Sequence, residues 1–174
     1  MRRLLRAVQR EGGYTLVELL VVTIILSTVL TGLTTAFVSG SKAELEANRR
    51  VQAQLQANAA LDRLRRDIHC ASAASISGTT MTLTGCGTGT VSWCTVGSSS
   101  RYAIYRLAGA TCSSAGKFYA DYLTSSSVFT YTPPVAATSL AKVHLDMLVN
   151  VNPSKAVDTF KLTDDVVLRN SVRA

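Results

Sequence analysis

Charge is scarce in this chain: only 17 % of its 174 residues are Asp, Glu, Lys or Arg, while 47 % are hydrophobic. A disordered chain shows the opposite balance, so disorder is excluded. Histidine is scarcer still, with His69 and His144 the only two, which leaves little from which to build a histidine-centred triad or metal site. The Gly-x-Ser-x-Gly, P-loop and His-Glu-x-x-His motifs are all missing, as are carboxylates at calcium-loop spacing. Ser39-x-x-Lys42, Ser114-x-x-Lys117 and Ser139-x-x-Lys142 match a β-lactamase nucleophile spacing, but without a Lys-Thr-Gly partner the pattern is cheap in a serine-rich chain. Asp164-Asp165 reads as a solvated acidic pair in a turn. The expectation is a protein with no catalytic residue, no metal and no cofactor.

What the chain does have is a concentrated apolar run. From Leu19 to Val38 there are 20 consecutive uncharged residues, and this one run near the N-terminus accounts for a mean hydropathy of +0.22. A polytopic membrane protein would need several such runs. Arg2, Arg3, Arg6 and Arg10 against Glu11 supply +3 of the formal net charge of +7. A cationic flank before an apolar segment is an insertion signal, with the positive end kept in the cytoplasm and the remainder translocated. Residues after about Ser39 are therefore expected outside the cytoplasmic membrane, where disulfides persist. Cys70, Cys86, Cys94 and Cys112 fall within 43 residues and favour two disulfides over free thiols. A zinc site is the competing reading, but no pair has Cys-x-x-Cys spacing. If the strands run as a meander, the pairing leans to Cys70–Cys86 with Cys94–Cys112 among three connectivities.

An ordinary secretory signal is cut after its apolar region, and Ala36-Phe37-Val38 is a weak match to that pattern. More informative is the order Gly12-Gly13-Tyr14-Thr15-Leu16-Val17-Glu18 directly before the main hydrophobic run. Basic leader, glycine, aromatic residue, glutamate at fixed spacing and long apolar helix together resemble the type IV prepilin signal. The resemblance implies cleavage by a prepilin peptidase between Gly13 and Tyr14, N-methylation of Tyr14, and an assembly role for Glu18, fifth in the mature chain. It also implies a leader at 1–13, a membrane or filament-core helix at 14–40, and an extracytoplasmic domain at 41–174. The partners it implies are other pilins or pseudopilins, with residence in the cytoplasmic membrane before assembly. The chemistry of the junction stands by itself. Cleavage creates an ammonium at Tyr14, which methylation leaves protonatable, and four residues of helix span about 6 Å. In a bundle of such helices an ammonium can meet a neighbour's Glu18, so that each charge is cheaper to bury. A carboxylate beside an apolar span is a functional candidate by default.

Lys42 to Asp67 is charged, rich in Ala and Gln, and free of Gly and Pro. Val51, Leu55, Leu61, Leu64 and Ile68 recur mostly at three and four, which predicts an apolar stripe on a helix continuing from the membrane segment to about His69. Arg49, Arg50, Arg63, Arg65 and Arg66 read as a solvated face with an Arg63–Asp67 pair. A DNA-binding surface is the lesser reading, because the helix has no aromatics to stack on bases. Strands are expected at 81–84, 91–96, 102–107, 118–123 and 128–132, and Val143, Leu145, Met147, Val149 and Val151 alternate cleanly. Phe160–Leu162 and Val166–Leu168 follow as a hairpin. The predicted fold is α+β, pilin-like: a long N-terminal helix, half membrane and half amphipathic, packed on an antiparallel β-sheet. The layout resembles minor pilins and pseudopilins. Leu61 to Ile68 and the Val166-Val167-Leu168-Arg169-Asn170 ending are similar to the J-type pseudopilin of type II secretion and the W-type minor pilin. The rival from another class is a signal-anchored exported enzyme or carbohydrate-binding domain.

Overall fold

A computed structural model describes residues 14–87, 89–135, 139–155 and 158–171, with Cys86 described by its backbone alone. The leader and Gly13 lie outside the described residues. One helix, α1 (Leu16–Cys70), precedes eight strands: β1 (Ala73–Ser77), β2 (Thr80–Cys86), β3 (Gly89–Ser98), β4 (Arg101–Ala108), β5 (Lys117–Leu123), β6 (Phe129–Thr132), β7 (Lys142–Val149) and β8 (Phe160–Val167). The chain divides into two compact units, Met1–Leu45 and Glu46–Ala174.

In the second unit the end of α1 packs on a single antiparallel sheet. β1 to β5 form a meander, β7 takes β8 along one edge, and its other edge is shared by β6 and the tip of β5. The sheet therefore has the antiparallel α+β character expected of the sequence. β7 shows why: its period-2 pattern buries Val143, Leu145, Met147 and Val149 on one face, as strand geometry requires. Val143, Leu145 and Met147 join Leu64, Ile68, Met81, Leu83, Trp93 and Ile104 in one core, while Val149 packs in a smaller cluster with two alanines of α1.

Three expectations need correction. Val51 and Leu55 do not belong to the buried stripe; they are 54 % and 64 % exposed. The buried face of α1 runs Ala53, Ala57, Ala60, Leu61, Leu64, Asp67 and Ile68. Helical spacing is kept, but alanines carry its first two turns, and Ala53 and Ala57 meet Val149 directly. Val51 and Leu55 sit about 200° round the helix from Ala53 and Ala57, respectively. Small side chains let the helix backbone approach the sheet closely, which larger ones at those positions would prevent.

The Asp164-Asp165 pair is not in a turn. Phe160 to Val167 is one strand, paired with β7 from Val149↔Phe160 to Lys142↔Val167. Alternation sends the two aspartates to opposite faces: Asp164 accepts from Arg65 Nε at 2.6 Å, while Asp165 lies 2.6 Å from His144 Nδ1 and 3.4 Å from Lys142 Nζ. β1 is an additional strand in a stretch, Ala73–Ser77, with one large apolar residue; it forms a hairpin with β2 through Gly78, whose φ is 58°.

Candidate functional site

The N-terminus of α1 is set by its own sequence. Thr15 precedes the first helical residue, and the Glu18 backbone N–H donates to Thr15 Oγ1 at 3.3 Å. Thr15-x-x-Glu18 thus has the spacing of a capping box, with Thr15 at the cap and Glu18 at the third helical position. A carboxylate in the first turn is favoured by the positive end of the helix dipole. Tyr14, just outside the helix, is 78 % exposed. Glu18 is exposed as well.

Beyond Glu18 the helix presents apolar side chains on every side. Leu19, Ile24, Ile25, Leu30, Leu33 and Phe37 are each more than half exposed. The most apolar 18-residue window has a mean hydropathy of 2.3 with none of it buried, so by length and composition the helix can cross a membrane. The polar side chains within this run satisfy themselves. Thr23 donates to Leu20 O at 2.8 Å, Ser27 to Ile24 O at 2.8 Å, Thr28 to Ile25 O at 2.8 Å, Thr31 to Ser27 O at 2.7 Å and Thr35 to Thr31 O at 2.8 Å. Thr34 bonds to the Leu30 carbonyl in the same way. Hydroxyls turned back onto the helix leave no donor to be stranded in an apolar surrounding.

In the second unit Arg50, Arg63, Arg65, Arg101 and Arg106 are engaged in ion pairs. Arg50 is bidentate to Asp158, at 2.8 and 2.7 Å, and reaches Glu46 at 2.5 Å. Arg65 bonds Asp164 at 2.6 Å and Asp62 at 3.3 Å. Glu46 is held below the ordinary carboxylate range by its hydrogen bond from Arg50 and by the charge of Lys155. The expected Arg63–Asp67 pair is present at 3.3 Å, but it is the weakest member of a larger group. Buried Asp67 accepts from Arg106 Nε at 2.6 Å and from Trp93 Nε1 at 3.0 Å. Sequence spacing had no means of finding these two partners.

Cys94, on β3, is bonded to Cys112 in the β4–β5 loop, 18 residues away. Cys70 is also disulfide-bonded; the other expected partner, Cys86, has its side chain outside the described residues. The loop that carries Cys112 lies over β3, where Gly109 N donates to Thr90 O at 2.8 Å and Ser92 Oγ bonds the Gly109 carbonyl. His69 Nδ1 donates to the Val167 carbonyl at 2.9 Å, and Asn170 Nδ2 to the Cys70 carbonyl at 2.9 Å. The Arg169-Asn170 ending thereby ties the chain's last described turn to the end of α1. Of the serine–lysine pairs, Ser39 and Lys42 lie within α1, while Lys117 and Lys142 open β5 and β7.

Residues 8–34 match the family model of the prokaryotic N-terminal methylation motif. No curated protein and no solved structure matches the chain. The matched segment contains Gly13, Tyr14 and Glu18 and ends inside the exposed apolar run. The chain accordingly carries a type IV prepilin-like N-terminal signal, joined to a long helix and an antiparallel α+β unit of pilin-like fold. Such a signal implies processing by a prepilin peptidase and assembly with other pilins.

Proposed function

We propose that the protein is a structural, non-enzymatic subunit, present as a minor component, of a type IV pilus or a type II secretion pseudopilus. The observation that carries this reading is the coincidence of the methylation motif at 8–34 with an N-terminal half of α1, from Leu16 to Val38, whose apolar residues are all exposed. Such a surface needs an apolar surrounding, first lipid and then the helices of neighbouring subunits. On this reading prepilin peptidase cuts between Gly13 and Tyr14, Tyr14 is N-methylated, and its ammonium or that of a neighbour meets Glu18. Before assembly the chain crosses the cytoplasmic membrane once, with its C-terminal unit outside. The Cys94–Cys112 disulfide supports that placement, because such bonds persist in oxidising compartments. The minor role rests on the likeness of Leu61 to Ile68 and Val166 to Asn170 to J-type pseudopilins and W-type minor pilins.

N-terminal mass spectrometry of the protein recovered from membranes tests the reading. A mature chain beginning with N-methyl-tyrosine at Tyr14 is the expected result. A chain retaining Met1 to Gly13, or one cut after Val38, would refute it. Quantitative mass spectrometry of sheared filaments tests the minor role, which recovery as the dominant filament protein would overturn.

A further inference from the structure

In the second unit, one strand edge is left open beside the helix. β5 is paired along its length by β4, but on its other side it meets β7 only at Leu123↔Val149, next to the bond from Asn150 N to Tyr122 O at 2.9 Å. From Lys117 to Asp121 that edge faces no strand among the described residues. The cause is local. Between Ala120 and Leu123 the register against β4 shifts, and Tyr122 takes a φ of 62°. Such a bulge bends the strand and ends regular pairing.

The bent strand and α1 enclose a cavity of about 200 Å³, lined on the helix side by Arg49, Gln52, Ala53 and Gln56 and on the strand side by Phe118, Asp121 and Tyr122. Asp121 is already satisfied: it takes Arg101 Nη2 at 2.8 Å and the Tyr122 N–H at 2.6 Å, and Arg101 also stacks on the Tyr122 ring at 4.3 Å. The side chains of Arg49, Gln52 and Gln56 make no hydrogen bond or ion pair among the described residues. Lys117, at the open end of the strand, likewise has no carboxylate partner there; its ammonium lies 5.5 Å from the Tyr119 ring centre. Phe118 is 44 % exposed. Gln52 and Gln56 are one turn apart, about 6 Å along the helix, close to the roughly 6.6 Å between alternate residues of an extended chain. Amides at that interval can each bond a peptide group of a strand lying between helix and β5.

We propose that this groove docks an extended acidic peptide segment of a partner protein, which pairs its backbone with β5 between Lys117 and Asp121 and sets a carboxylate against Arg49. Strand addition supplies backbone hydrogen bonds, and the side-chain contacts supply selectivity. Two cations without a carboxylate partner among the described residues, beside an Asp121 already taken by Arg101, make the groove complementary to negative charge. The inference stands apart from the reading of the N-terminal segment, because it uses only residues of the second unit.

Fluorescence anisotropy of a labelled octapeptide alternating glutamate and valine, titrated with the full-length protein in neutral detergent, tests the proposal. Saturable binding is expected below about 1 mM. Arg49→Glu should weaken it at least about tenfold, whereas Arg66→Glu, the same charge change at an exposed site outside the groove, should not. A peptide with alternate backbone nitrogens methylated, which lacks donors for the strand edge, should lose about as much as Arg49→Glu costs. Thermal melting shows whether each variant is folded. Absence of saturable binding to the folded wild-type protein would overturn the proposal. So would equal loss in the two arginine variants, which would mean general charge attraction, or full binding by the methylated peptide, which would mean that β5 is not extended.

Discussion

At the scale of single residues, the least replaceable side chain in the second unit is Asp67. It is 4 % exposed, and three cationic or N–H groups converge on it from α1, β3 and β4. Removing one partner of a buried charge cluster leaves the others unpaired in a low-dielectric surrounding, which typically costs about 3–5 kcal/mol. Asp67→Ala should therefore lower the midpoint of urea unfolding by that equivalent, whereas Arg63→Ala, which deletes only the 3.3 Å contact of a half-exposed side chain, should cost about 1 kcal/mol or less. Equal effects of the two changes would show that Asp67 is not the centre of the group. Only the Arg63 contact was legible in the sequence, because i,i+4 spacing announces it. Trp93 and Arg106 lie 26 and 39 residues away, and no local pattern links them to a helix. The N-terminal residues are the reverse case. Tyr14, Thr15 and Glu18 act through fixed short spacing, so their roles as cap, first-turn carboxylate and motif members are all visible in the linear chain.

At the scale of elements, the sequence revealed type better than partnership. Large β-favouring side chains marked β2 through β7 to within a few residues, and the alternation of β7 named its buried face. β1 escaped notice because Ala73–Ser77 offers only Ile76 as a large apolar residue; it is held by pairing to β2, not by its own composition. The alanine face of α1 escaped for a related reason. A search for large apolar residues passes over Ala53 and Ala57, although in a close helix–sheet contact the small side chain is the one that fits. Two tests belong to this scale. The β3–β4 hairpin turns through Ser99 and Ser100, both with positive φ, at 53° and 65°. A two-residue loop of that kind prefers Asn-Gly, and a non-glycine residue held in the left-handed region carries a cost of about 1–2 kcal/mol. Ser100→Gly should raise stability by about 0.5–1 kcal/mol, the gain being reduced by glycine's greater freedom when unfolded; an unchanged melting temperature would count against strain at this turn. The Cys94–Cys112 bond closes an 18-residue separation, for which restriction of the unfolded chain is worth about 3 kcal/mol. Cys94→Ser with Cys112→Ser should lose about that much in urea unfolding, and a loss under about 1 kcal/mol would mean that the loop is held by its hydrogen bonds to β3 alone.

At the scale of the whole molecule, the two units answer to different solvents. The second unit carries ion pairs at its periphery in addition to its apolar core, and these make part of its stability depend on acid. Asp165 is lowered by its hydrogen bond from His144, and Glu46 by that from Arg50. For Asp121 burial pulls upward, but the hydrogen bonds from Arg101 and the Tyr122 N–H outweigh it and leave the group lowered. A carboxylate whose folded value lies below its unfolded one contributes stability above the unfolded value, and that contribution disappears as pH falls through the folded one. Urea midpoints of the full chain in detergent should thus be flat above about pH 5 and fall steadily below about pH 4; a midpoint that rises on acidification would contradict the assignment of these pairs. The first unit depends on apolar surroundings instead, and one charge in it stands out. A carboxylate at Glu18 lowers the fitness of the segment for lipid, because acidic residues are costly toward the centre of a bilayer. Glu18→Ala should consequently insert in the membrane and be cleaved after Gly13 as well as the wild type. Glu18→Gln, which keeps hydrogen bonding but not charge, separates the two contributions that remain. If the carboxylate serves to meet a neighbour's N-terminal ammonium, both variants should accumulate as mature protein in the membrane and be depleted from sheared filament fractions, with Gln no better than Ala. If Glu18 serves only the capping box with Thr15, Gln should behave as the wild type, since glutamine fills that position equally well. Full recovery of both variants in filaments would show that the charge is not an assembly contact.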